Sequence, residues 1–272
     1  MGKPVELNAV LVERADVAPG LVVLRIAPRG WTLPAFTPGQ FAVIGLPASA
    51  PRVPRSDPED PGADPGRFIR RAYSIASSSR QREYVELFVA LVTSGELTPR
   101  LLALRPGDPL WLGAKFTGMF TLRDVPPDRN LVMVATGTGL APYMSMLRTE
   151  LLGRSGRRIA LLLGARHSWD LGYSRELFTM QRESSELTVL RIVSRPKEER
   201  EPWTGPVGHV QHLWSGGALE KAWGFRPAPA DTHVFLCGNP AMIDDMTVLL
   251  EGEGFRLHAP RAPGEIHVER YW

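Results

Sequence analysis

Cysteine is nearly missing: Cys237 is the only one in 272 residues. That excludes a disulfide within the chain, and with it a cysteine-ligated iron–sulfur cluster or zinc site. Lysine is scarce as well, with only Lys3, Lys115, Lys197 and Lys221, so nearly all basic charge is arginine. The chain lacks the Lys/Arg blocks of nucleic-acid binders, and a net charge of +3 with a pI near 9.2 is only mildly basic. No apolar run approaches the ~20 residues that span a bilayer, which speaks against membrane insertion. Residues 1–8 lack the charged-then-apolar layout of a secretory signal, so the cytoplasm is the expected location. The histidines of "HVQH", His209 and His212, have no acidic or third histidine ligand nearby in sequence, and no metal site is expected. The mild positive charge fits a face that docks an acidic protein, and equally an ordinary solvated surface.

What is present has a globular balance, 43% apolar and 22% charged, over a length comfortable for two domains. The first part alternates short apolar runs with Gly/Pro turns. Strands are expected at Glu6–Arg14, Leu21–Ile26, Gln40–Leu46, Arg71–Ile75, Val85–Leu91 and Pro109–Leu112, with one helix at Leu97–Leu104. Such spacing predicts an antiparallel barrel or sandwich. Between two of these strands, "PASAPRVPRSDPEDPGADPG" (Pro47–Gly66) is too poor in large apolar residues to build a core. It reads as an exposed or disordered insertion. After Arg123–Asn130 the rhythm changes. "LVMVAT", "RIALLLGA", "LTVLRIVS" and "THVFLCG" are continuous apolar runs separated by helical stretches, the pattern of a parallel sheet with crossover helices.

Several stretches carry chemistry. In "LVMVATGTGLAPYMSM" a strand runs into Gly137-Thr138-Gly139 and a helix with Pro142 in its first turn, a backbone suited to an anionic phosphate. Pro142 stands where a G-x-G-x-x-G motif would place its third glycine, and a tight turn without ligand would share the pattern. Arg166 and Arg195 follow successive strand ends, where arginine suits a 2′-phosphate and an acidic residue would suit a ribose hydroxyl. "THVFLCGNPAMIDDM" repeats strand, turn and helix around Cys237, which plain packing would also explain. In the first part, "RAYSIASS" sets Arg71, Tyr73 and Ser74 along a strand: a cation, a flat ring and a hydroxyl. "SGELTPRL" offers Gly95, Thr98 and helix-start N–H groups as a second phosphate site.

R-x-Y-S, then G-T-G-x-A-P, then C-G-N-P-x-M, in this order, resemble the ferredoxin–NADP reductase family. "GARxxxDLGYxxEL", "GxLTxxL" and the closing "ERYW" are similar to its bacterial flavodoxin/ferredoxin reductase branch. The match spans nearly the whole chain apart from Pro47–Gly66. The resemblance implies two domains: an antiparallel six-stranded FAD-binding β-barrel over residues 1–122, then a Rossmann-like parallel-sheet domain for NADP(H) over residues 131–272. It implies that Arg71 meets the FAD pyrophosphate, Tyr73 stacks on the isoalloxazine and Ser74 approaches flavin N5. Ala72, Phe88, Val89, Gly95, Leu97 and Thr98 would line FAD, with Thr136 reaching it from the second domain. Gly137, Thr138, Arg166, Arg195, Cys237, Gly238 and Asn239 would receive the nicotinamide nucleotide. Ser74, Cys237, Glu269 and Trp272 are the expected catalytic set, Cys237 bordering the nicotinamide and Glu269 supplying protons. The implied activity joins NADP(H) to an acidic one-electron carrier, ferredoxin or flavodoxin, with the reductase a monomer. One departure is "WTGPVGHV", where Pro206 and His209 replace an arginine often found in the branch. An NAD(P)H-dependent flavin reductase or an oxygenase reductase component on the same scaffold is the alternative, and a flavin-bound electron carrier that never turns over a nicotinamide is a third.

In the family a terminal aromatic ring covers the flavin face opposite the R-x-Y-S tyrosine. Trp272 would then occupy the place that the nicotinamide must take, and would have to move aside in turnover. Deleting Trp272 should therefore strengthen productive nicotinamide binding and relax discrimination against NADH, read from kcat/KM with each nucleotide. Unchanged kinetics with both would count against the stacking.

Overall fold

The computed structural model describes residues 5–151, apart from 61, 63 and 65, and residues 156–270. It divides into two units: Met1–Thr121 with Met144–Thr149, and Leu122–Tyr143 with Glu150–Trp272.

In the first unit, β1 (Ala9–Ala18) and β2 (Leu21–Pro28) are joined by Pro19-Gly20, and Gly20 supplies the positive φ (85°) that a two-residue turn needs. β3 (Phe41–Pro47), β4 (Phe68–Ser74), β5 (Val85–Ala90) and β6 (Pro109–Leu112) complete an antiparallel sheet in the order β4-β3-β6-β1-β2-β5. An Ile75–Leu87 bridge brings the end of β4 to β5 and closes the ring. Alternate residues such as Leu11, Leu24, Ile26, Ile44, Leu87 and Leu110 fill its interior. All six expected strands are present, shifted by a few residues at some ends. The expected helix Leu97–Leu104 is shorter: α1 spans Thr98–Leu101, and residues 103 and 104 close tighter turns onto the carbonyls of Arg100 and Leu101. Glu86, 1% exposed, accepts from Arg25 Nε (2.8 Å) and Arg148 Nη1 (2.6 Å), and Ser145 Oγ donates to the Ser77 carbonyl (2.7 Å). These bonds explain why residues 144–149 group with the barrel.

Residues 48–59 of the insertion are not loose. Ala48, Ala50 and Val53 pack on the barrel core, and Glu59 grips buried Arg100 with both carboxylate oxygens (2.8 and 2.7 Å). An apolar-poor segment lacks a core of its own, but ion pairs and backbone hydrogen bonds hold this one against a neighbour.

In the second unit, β7 (Asn130–Thr136), β8 (Ile159–Ala165), β9 (Leu187–Val193), β10 (Thr232–Cys237) and β11 (Ile266–Glu269) form a parallel sheet in the order β11-β10-β7-β8-β9. The apolar runs predict four of these strands; β11 is too short and too polar to show in that pattern. Between them run α2 (Ala141–Met146), α3 (Ser174–Glu183), α4 (Gln211–Ser215), α5 (Ala218–Trp223) and α6 (Pro240–Gly252). Leu213, Leu219 and Met246 from the last three pack with Val132, Val134, Ala160, Val234 and Leu236 of the sheet. From the fully buried Tyr143, the hydroxyl donates to the Val134 carbonyl (3.2 Å).

The β10–β11 ladder sets Phe235 opposite His267, with ring centroids 4.3 Å apart. His233 Nδ1 lies 3.0 Å from His267 Nε2, and His258 stacks at 4.5 Å. Asp124 and Glu265 are the acidic neighbours and Arg129 the basic one. Burial first, then the charges of His258 and His233, push His267 down to about 3. The ordinary imidazole value is ~6.5, so between about 6.5 and about 3 the unfolded chain binds a proton that the folded one refuses. Stability should be complete above pH 6.5 and fall as pH drops through that window, approaching ~1.4 kcal/mol per pH unit. Urea titrations across pH would show it, and His267→Leu should flatten the fall.

Candidate functional site

In the first unit β4 is an edge strand, which leaves one side without a sheet partner beyond the Ile75 bridge. Arg71 and Ala72 are exposed, Tyr73 is half-buried against the barrel core, and Ser74 is buried. Burial raises the Tyr73 phenol above its ordinary range, against the opposing charge of Arg71. Arg71 Nη2 donates to Glu96 (2.7 Å), and Arg67 pairs with the same carboxylate. The hydrogen bond from Arg67, with the charges of both arginines, holds Glu96 below the usual carboxylate range.

Gly95, Leu97 and Thr98 therefore sit beside Arg71, though not all of them present side chains. Leu97 and Val89 belong to the barrel core, and Phe88, also buried, is on the opposite face of β5 from Val89. The Thr98 hydroxyl is committed to the Val92 peptide, accepting from its N–H (3.0 Å) and facing its carbonyl (3.2 Å). What the turn offers is backbone: the N–H groups of Glu96, Leu97 and Thr98 have no acceptor among the described residues. Three consecutive amide donors beside an exposed guanidinium suit a phosphate. Glu96 was not among the expected residues; only the fold reveals it as the partner of Arg71.

In the second unit the chain leaves β7 to one side for β8 and β9, then returns to the other side for β10 and β11. The carboxyl ends of β7 and β10 thus flank the topological switch point, where open α/β sheets receive ligands. Thr136, Gly137, Thr138, Cys237, Gly238 and Asn239 all lie there. Thr136 Oγ1 accepts the Asn239 N–H at 2.8 Å. Gly238 makes this junction possible: its φ is +136°, and a Cβ there would stand 2.3 Å from Thr136 Oγ1. Gly137, at φ +55°, is the opposite case, with nothing within 4 Å of where a Cβ would be. That open backbone is where a ligand could approach closely. Asn239 is already employed, its Oδ1 accepting from Ala241 N (2.8 Å) and Met242 N (3.4 Å) as the N-cap of α6. Cys237 is fully buried, and Glu269, half-buried, is its neighbour across the β10–β11 pair. Trp272 lies outside the described residues.

Arg166 and Arg195 are both exposed, just past β8 and β9, with Arg195 N donating to the Arg166 carbonyl at 2.9 Å. His167, which the motif reading passed over, is a third basic group there. Its ring nitrogens face Glu198 (2.9 Å) and Asp170 (3.0 Å), and the bond to Glu198, ahead of that to Asp170, raises it above the ordinary imidazole value. Glu199 takes both the N–H and the hydroxyl of Ser168 at 2.6 Å. His209 and His212 have ring centroids 6.2 Å apart in an edge arrangement, and no cluster of three metal-ligating side chains occurs among the described residues.

Residues 133–247 match the family model described as the oxidoreductase NAD-binding domain. The flavodoxin/ferredoxin–NADP reductase of Escherichia coli (strain K12) is 34% identical over 243 residues, 87% of this chain and 88% of that one. The chain belongs to the ferredoxin/flavodoxin–NADP reductase family. The ferredoxin–NADP reductase of Azotobacter vinelandii, 32% identical over 241 residues and 86% of each chain, agrees. A ferredoxin NADP+ reductase from Neisseria gonorrhoeae, solved with bound FAD and NADP, has the same fold, with a TM-score of 0.80 at 23% identity over 97% of this chain and 98% of that one. Members of the reductase family are oxidoreductases, and so is this chain. None of its described helices is long and apolar enough to cross a membrane.

The cap makes the reductase's β10–α6 junction testable. Asn239→Ala should cost ~1 kcal/mol in chemical denaturation through the lost cap, and Asn239→Asp should retain it. Gly238→Ala should cost more than Asn239→Ala, because its Cβ collides with Thr136.

Proposed function

We propose that this reductase is an FAD-dependent enzyme that moves electrons between NADP(H) and a one-electron protein carrier. The observation that carries the reading is Arg71 beside the unpartnered N–H groups of Glu96, Leu97 and Thr98. FAD supplies hydride acceptance as an electron pair and release of single electrons, which suits it to join a nicotinamide to a one-electron carrier.

The chain's own residues bind and orient. Arg71 leaves Glu96 for the pyrophosphate, and the amides of Glu96–Thr98 donate to it. An exposed ion pair is worth only ~0–1 kcal/mol, so the exchange costs little. Tyr73, half-buried and kept un-ionised, gives the isoalloxazine a flat apolar seat, and Ser74 provides a hydroxyl toward N5. Thr136 and Gly137 line the switch-point crevice, with Thr138 beside them. Arg166 and Arg195 grip the 2′-phosphate, with the His167 imidazole, raised above its ordinary value by Glu198 and Asp170, as a third basic group. Cys237 would border the nicotinamide from a buried position, and Glu269 would be the group that supplies protons. Asn239 acts by capping α6 and so shaping the turn. The carrier is an acidic ferredoxin or flavodoxin met by a basic face of a cytoplasmic monomer, which the net charge of +3 favours.

The purified protein should be yellow, and NADPH should bleach it without air faster than NADH does. Arg166→Ala with Arg195→Ala should narrow that difference by at least about ten-fold, as two charge-assisted contacts are lost. A colourless protein that takes up no added flavin would overturn the reading.

A further inference from the structure

The insertion that interrupts the family resemblance lies against the turn that carries the open amides. Asp57 N donates to the Thr93 carbonyl (2.9 Å), and the Thr93 hydroxyl donates to Asp57 Oδ2 (3.1 Å). Val53 N donates to the Pro99 carbonyl (3.1 Å). Arg52 Nη1 is fixed on the Asp57 carbonyl (2.8 Å), and its Nη2 reaches the Gly95 carbonyl (3.3 Å). Arg100, 1% exposed, is held by both oxygens of Glu59 and by the Ala48 carbonyl, and donates to the Glu96 carbonyl at 2.6 Å. Its hydrogen bond, ahead of its charge, keeps the Glu59 carboxyl below the usual range.

Peptide planarity turns these contacts into aim. In a trans peptide the C=O and the following N–H point in opposite directions within one rigid plane. The Gly95 carbonyl shares its plane with the Glu96 N–H, and the Glu96 carbonyl shares its plane with the Leu97 N–H. Arg52 and Arg100 hold those two carbonyls, so the two amides are turned away from Arg52 and Arg100 and held without an acceptor. α1, four residues long, is too short to impose that orientation itself.

We propose that the 48–59 segment is a strap, acting through Arg52 and the Glu59–Arg100 pair, that pre-aims the Glu96 and Leu97 amides at an anionic diphosphate group. This rests on the reading that the turn receives the pyrophosphate of FAD, and it makes Arg52, Glu59 and Arg100 positioning residues for cofactor retention. Donors already oriented lose less freedom on binding, so the strap strengthens the grip on the diphosphate without touching it.

The test compares FAD with riboflavin, which has the same ring system and no phosphate. In the parent chain and in Glu59→Gln and Arg52→Gln, affinity for each is measured by flavin fluorescence, with Glu59→Asp as the conservative rescue. The expected result is that FAD affinity falls by about ten-fold, equivalent to ~1.4 kcal/mol, with riboflavin affinity unchanged and Glu59→Asp partly restored. Amide hydrogen exchange at Val53 and Asp57, whose N–H groups bond the turn, should quicken in the same variants. Equal losses for both flavins, or an unchanged FAD-to-riboflavin ratio, would overturn the strap. If Glu59→Gln does not fold, Arg52→Gln alone decides, because it leaves the Glu59–Arg100 pair intact. A parent chain that binds neither flavin would instead sink the functional reading on which the proposal rests.

Discussion

The hydrogen bond from the Asn239 N–H to Thr136 Oγ1, 2.8 Å long, joins the ends of two neighbouring parallel strands where the ladder between them runs out. Past Cys237 the backbone must turn at once into α6, and the position between could not carry a side chain. Gly238 satisfies that condition, and Asn239 then serves both sides of the turn: its N–H closes the strand ends, and its side chain caps the helix. Without that junction the mouth of the sheet would have no fixed shape, and Gly137, whose surroundings are open, would have no defined counterpart. The crevice is thus built from main chain, and side chains are needed mostly to hold the main chain in place.

The first unit arrives at a similar arrangement by another route. There the backbone at 95–98 is held through its carbonyls, and the amides of Glu96, Leu97 and Thr98 are left over. In both places the arginines have carboxylate companions: Glu96 beside Arg67 and Arg71, Glu198 beside Arg195 and His167. These pairs are largely solvent-exposed, so each adds little to stability. They order long flexible side chains near where an anion would be met, and can be given up cheaply. Pairs with one deeply buried member, Glu86 or Arg100, behave differently. Glu86 with Arg25 and Arg148, and Glu59 with Arg100, cannot be separated without stranding charge away from water.

Much of this was legible in the residues. Short apolar runs set off by Gly/Pro turns located the six barrel strands, and continuous apolar runs located β7 to β10, because burial on one or two faces leaves a compositional trace. In the second unit Thr136, Gly137, Thr138, Cys237, Gly238 and Asn239 lie together at the ends of β7 and β10. Other features left no such trace. β11 is four residues long and contains a histidine and a glutamate; parallel pairing with β10 makes it a strand, and each paired residue is 32 positions away in sequence. The Glu59–Arg100 pair spans 41 positions, and a Pro/Asp-rich segment looks the same in sequence whether or not its carboxylates find a distant guanidinium. Leu97, Thr98 and Val89 sit at motif positions but are committed to the core or to the Val92 peptide. A motif specifies which residue stands at a site, and only the fold specifies which of its atoms remain available.

β11 also marks one border of the five-stranded sheet. A border strand displays a row of unsatisfied peptide groups on which a foreign chain could assemble. Here that row is only four residues long, and its first residue is already taken: Ile266 N donates to the Arg256 carbonyl (2.9 Å), and the Ile266 carbonyl accepts from His258 N (2.8 Å). The return of 256–258 covers part of the row, so this margin leaves an incoming strand few groups to grip.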